Sequence, residues 1–126
     1  MSELIGSNKQ AALRIFHEMW NGANPGAARD IFANPEGVET FVSGFMTAFP
    51  DLLHSVEEII AEGDRVVVRF SARGTHLGQW NGLPASGRAI HYSGVTIARI
   101  SGGKVQEHQT WWDTHKLIQQ ITGPTA

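Results

Sequence analysis

One carboxylate stands beside two tryptophans in the stretch "EHQTWWDTHKLIQQ", residues 107 to 120. Read as a strand that runs into a turn, this segment puts Val105, Glu107, Gln109, Trp111 and Asp113 on one face. Gln106, His108, Thr110 and Trp112 take the other, which leaves His108 outside any site built on the first face. If the first face meets an apolar interior, burial favours the neutral form of the Asp113 carboxyl group, a state suited to proton transfer. The plainer reading is that Asp113 is the N-cap of a short helix "DTHKLIQQI". The residues leave both readings open.

The other groups able to move protons are imidazoles. The six histidines lie at 17, 54, 76, 91, 108 and 115. His54, His76 and His91 fall in or beside predicted strands and are candidates for the site, each weighed against an ordinary surface role. His17 flanks the first helix. No pair has the i, i+4 spacing with an intervening acid that a helical zinc site needs, so no metal is expected. "SGGK" lacks the Walker spacing, and no G-x-S-x-G elbow presents a serine nucleophile. What remains is cofactor-free general acid–base chemistry. Phe16, Trp20, Phe45 and Phe49 are expected as core that doubles as pocket wall, with Trp111, and Tyr92 serves as core or as a hydroxyl donor.

The whole chain is consistent with that reading. Its 126 residues are expected to form one domain, 1–126, around a single core. Charged residues make up 17% and the net charge is −2, without a basic stripe, so neither nucleic acid nor an anionic membrane is an expected partner. There is no cysteine, which excludes thiolate chemistry. The opening residues lack a secretory pattern, and a cytoplasmic location is expected.

These side chains need a scaffold. Ser7 and Gln10 have capping-box spacing, and Ala12, Phe16, Met19 and Trp20 form a helical stripe that Asn21-Gly22 ends. Asn24-Pro25 and Asn34-Pro35 each offer an N-cap followed by proline, and Val38, Phe41, Val42, Phe45 and Phe49 repeat at helical spacing up to Pro50. Strands follow at 54–61, 65–76, 89–100 and 104–115, joined by "EGD", the long connection "LGQWNGLPASGR" and "SGG". In the second strand Val66, Val68, Phe70, Ala72 and His76 share one face, opposite Arg65, Arg69 and Arg73. Gly74 and Gly94 stand where bulges or bends would curve the strands. Helices followed by antiparallel strands make an α+β domain, either a curved sheet closed by helices or a ferredoxin-like sandwich.

The pieces "FPDL", "AEGDRVVVRF", "GTHLG", "GLPASGR" and "GGKVQEH", followed by Asp113 and "LIQQI", resemble the SnoaL-like polyketide cyclase family of the NTF2-like superfamily. The resemblance covers residues 49–121 closely and the helical half by pattern. It implies an NTF2-like cone of helices on a strongly curved, mainly antiparallel sheet, an apolar pocket, and a homodimer or homotetramer built through the sheet. It also implies intramolecular aldol cyclisation of an aromatic polyketide-like carbonyl compound, with neither cofactor nor metal. Asp113 matches the family's catalytic aspartate, and His54, His91 and Gln109 are the polar groups that would hold substrate carbonyls. One departure is Gln109, where the family commonly has tryptophan. The same scaffold hosts cofactor-free hydroxylases, isomerases and non-catalytic binders, which stand as alternatives.

Overall fold

The computed structural model describes residues 2–123. Helix α1 (Ser2–Arg14) runs on into a π-helical turn, Ile15–Trp20. A short 3-10 turn, Pro25–Ala27, leads to α2 (Ala28–Ile31), and α3 spans Glu36–Ala48. Four strands follow, β1 (Leu53–Glu62), β2 (Arg65–Thr75), β3 (Ala89–Ser101) and β4 (Lys104–Trp112), and α4 (Thr114–Thr122) closes the described chain.

The strands form one antiparallel meander in the order β1-β2-β3-β4. That order removes the ferredoxin-like alternative, in which helices alternate with strands. Inward residues line up in rows across the sheet. His54, Ala72 and Tyr92 make one row, and Val56, Phe70, Gly94 and Trp112 the next. Ile59, Val68, Thr96 and Thr110 follow, then Ala61, Val66, Ala98 and His108. Phe32 adds a short parallel bridge to Val105, with Ala33 N–H donating to the Val105 carbonyl at 2.9 Å.

Two bulges set which side chains face in. On β1 the register shifts between Val56 and Glu58. On β4, Glu107 pairs with Arg99 and Val105 with Ile100, so Gln106 is the extra residue. These breaks, and not Gly74 or Gly94, interrupt the ladders. Gly94 serves close approach instead, because a Cβ there would lie 2.6 Å from both Phe70 Cζ and the Trp111 carbonyl oxygen.

The helical starts differ in detail from expectation. Ser7 and Gln10 lie inside α1 and cap nothing, and neither Asn24 nor Asn34 supplies a side-chain cap. The π turn adds one residue to the helical repeat, and Asn21 N–H reaches back to the Phe16 carbonyl at 2.8 Å. Ile15, Phe16 and Met19 are buried there. No described helix is long and apolar enough to cross a membrane.

Candidate active site

Between the sheet's inner face, the π-helical turn Ile15–Trp20 and helix α3 lies a cavity of about 510 Å³. Its deep end is made by His54, Phe16, Trp20, Phe45, Phe70 and Tyr92, its middle by Trp112, and its mouth by Asn34, Phe41, His108 and Thr110. The exposure pattern gives it this direction. His54 and Tyr92 are 5% and 4% exposed, whereas Phe41 is 54% exposed.

His54 is the central polar group of the deep end. Its ring meets those of Trp20, Phe70 and Phe16 at centroid distances of 4.9, 5.4 and 5.7 Å. Its Nδ1 is buried and has no hydrogen-bond partner among the described residues. Burial in this aromatic box pushes the imidazole down to about 4 from its usual 6.5, so it is neutral at pH 7. The backbone that carries it is fixed by Asn21, whose Oδ1 accepts the His54 N–H at 2.7 Å while its Nδ2 donates to the His54 carbonyl at 2.8 Å. Burial holds the Tyr92 hydroxyl well above the ordinary phenol range, so it remains a donor.

At the other end His108 packs its ring on Phe32 at 4.9 Å, and partial burial lowers its pKa. The hydroxyls of Thr96 and Thr110 bond to each other at 2.8 Å on neighbouring strands.

Of the expected site residues, the cavity brings together His54, Phe16, Trp20, Phe45 and Tyr92. The others lie elsewhere. Asp113 is exposed and is the N-cap of α4, its Oδ1 accepting the Lys116 N–H at 2.9 Å, so the apolar surroundings expected for it are not what it has. Gln109 and Trp111 are exposed on the outer face, because the bulge at Gln106 inverts the alternation that had put them inside. The same inversion turns His108, Thr110 and Trp112 inward. His91 is outward on β3, its backbone held by the Gln120 side chain through bonds of 2.6 and 2.7 Å. Phe49 is core, its ring packed at a tilt against those of Phe45 and His76. His76 is buried outside the cavity, where its Nδ1 accepts the Ser86 N–H at 3.1 Å and anchors the 77–88 connection. Thr96 was overlooked, although its place in the apolar series Ile90, Tyr92, Gly94, Ala98 marks a polar group on an inward face.

Among the described residues no set of three His, Asp or Glu side chains gathers to hold a metal ion. What the geometry defines is a helix-closed cone whose apolar hollow carries an imidazole and a phenol at its blind end.

That class has a family name. The SnoaL-like polyketide cyclase model matches residues 10–121, and the chain belongs to that family. It is similar to the aklanonic acid methyl ester cyclase DauD of Streptomyces sp. (strain C5), with 33% identity covering 94% of this chain and 74% of that one. The aklanonic acid methyl ester cyclase DnrD of Streptomyces peucetius is 34% identical, over 80% of this chain and 72% of that one. Among solved structures, a candidate SnoaL-like polyketide cyclase from Jannaschia Sp. CCS1 superposes with a TM-score of 0.88 at 26% identity, covering 96% and 95% of the two chains. AclR of Streptomyces galilaeus, a candidate hydroxylase, superposes at 0.86 with 23% identity over 97% of this chain and 85% of that one, which is a likeness of fold.

Proposed function

We propose that this polyketide cyclase-type enzyme closes a ring of an aromatic, polyketide-like carbonyl compound by intramolecular aldol addition, without a cofactor, at the blind end of the cavity. The observation that carries this reading is a buried imidazole, His54, and a buried phenol, Tyr92, lining one apolar cavity. A proton leaves the carbon beside a carbonyl, the enolate carbon bonds to a second carbonyl carbon within the same molecule, and the resulting alkoxide takes a proton. Atoms balance without any co-reactant.

His54 takes and returns the proton in this scheme. Desolvation holds its free imidazole neutral, and the negative charge developing on the adjacent enolate favours the imidazolium as the proton moves. Tyr92 donates to the oxygen that gains charge, in a site where water does not compete. The aromatic walls hold the rings.

Asp113 is the second candidate for the base. Its Oδ2 accepts no hydrogen bond among the described residues, and it follows Trp112, which belongs to the cavity wall. The relatives' names give the trial substrate, aklanonic acid methyl ester. With it, His54→Gln is expected to lower kcat by roughly two to four powers of ten, while Asp113→Asn stays within about threefold of the parent. The reverse pattern would transfer the proton to Asp113, and full activity in both variants would end the acid–base reading. Self-association is assigned to the outer face of the sheet, where Leu53, Ile60 and Trp111 are exposed, and a molar mass in solution checks it.

A further inference from the structure

Beyond His54 and Tyr92, which the reaction scheme uses, the cavity is lined by the polar side chains of Thr96, Thr110, His108 and Asn34. Thr96 and Thr110 sit two rows from Tyr92, on the far side of the row formed by Phe70, Gly94 and Trp112. Thr96 is four residues beyond Tyr92 on the same strand, a separation of roughly 13 Å at the rise of an extended chain. The space between is aromatic and offers no hydrogen bond to a ligand from Phe16, Phe45 or Phe70.

The hydroxyl pair has hydrogen-bonding capacity to spare. Two hydroxyls carry two protons, and the bond between Thr96 and Thr110 uses one. One O–H and the remaining lone pairs are left for a ligand. Thr96 is only 4% exposed, whereas Thr110 is exposed, so the pair reaches from the buried sheet face to the rim of the cavity. Both residues line the cavity.

We infer that the Thr96–Thr110 pair is a specificity determinant that binds an oxygen at the trailing end of the substrate. The substrate class that fits is a flat, multi-ring compound with an oxygen function at each end of its long axis. Its leading oxygen meets Tyr92 and His54, and its trailing one meets the pair formed by buried Thr96 and exposed Thr110. This assignment rests on the reading of the cavity as the cyclase site.

The test uses the full chain and three probes of increasing polarity: anthraquinone, 2-hydroxyanthraquinone and 2,6-dihydroxyanthraquinone. Quenching of tryptophan fluorescence at pH 6 gives Kd for the parent and for the Thr96→Val, Thr110→Val double variant. Removing both partners of a hydrogen bond while keeping shape is nearly neutral for folding, so the double variant is expected to fold. In the parent, the second hydroxyl is expected to tighten binding about three- to tenfold over the monohydroxy probe. In the double variant that gain disappears, while Kd for unsubstituted anthraquinone changes less than about twofold. A gain that persists in the double variant, or no gain in the parent, overturns the threonine assignment and leaves the cyclase reading intact. No binding of any probe by the parent overturns the aromatic cavity itself, and a thermal melt of the double variant separates misfolding from a lost contact.

Discussion

His54 and Tyr92 lie in one row across the sheet, separated by Ala72 alone. Ala72, the smallest side chain of that row, is buried between an imidazole and a phenol on strands two apart. Their backbones are about 9.6 Å apart at the usual strand spacing.

Filling that gap is expected to block the blind end. Ala72→Leu introduces three carbons beside Phe16 and Phe70, at an overpacking cost of about 1–3 kcal/mol. The expected result is a rise of at least tenfold in KM, or complete loss of turnover, in a protein that still melts cooperatively. Steady-state kinetics and calorimetry on the same preparation check it. Unchanged kinetics would show that substrate never enters between the two rings.

The buried imidazole also makes stability depend on pH. His54 binds a proton readily when unfolded, near 6.5, but in the folded chain only near 4. The unfolded state therefore takes up more protons between these values, and stability falls as the pH drops through that window. Across the full interval the loss attributable to this group is about 3 kcal/mol. His54→Phe is expected to remove that part of the slope, leaving carboxylates such as Asp51, held low by its bond to the Thr75 hydroxyl, to dominate at lower pH. Denaturant midpoints at pH 7 and pH 4.5 for parent and variant give the answer. Parallel slopes would mean that the folded imidazole charges freely.

Asp113 offers a purely structural prediction beside its catalytic test. An N-cap carboxylate is replaced well by asparagine and poorly by alanine. Asp113→Asn is expected to leave stability within about 0.5 kcal/mol of the parent, whereas Asp113→Ala loses about 1 kcal/mol through fraying of α4. Chemical denaturation of the three proteins measures both differences. Equal stability for all three would remove the capping role.

The elements were legible in the sequence because each signal was local. Alternation named the four strands, Asn21-Gly22 closed the first helix, and "EGD" and "SGG" marked the hairpins. The cone followed from the family resemblance, and the pocket wall from Phe16, Trp20 and Phe45. The inward face of β4 was misread for a specific reason. Alternation holds only while the ladder keeps register, and one extra residue at Gln106 carries Val105 and His108, three positions apart, to the same side. Nothing in "KVQEHQ" announces a bulge, since its cause is the pairing with Arg99 and Ile100 on another strand. Asn21 was likewise hidden: its role as a clamp on His54 depends on a contact 33 residues away.

Phe45 touches the rings of Trp20, Phe41, Phe49, Trp80, Tyr92 and Trp112. A side chain shared so widely cannot drift without loosening helix from sheet, which keeps the inner chamber conservative in shape. Asn34 and Gly37, by contrast, border the opening and belong to no part of the aromatic cluster. Diversification towards new molecules in this lineage, natural or in the laboratory, should therefore start at the doorway and reach the inner rings last.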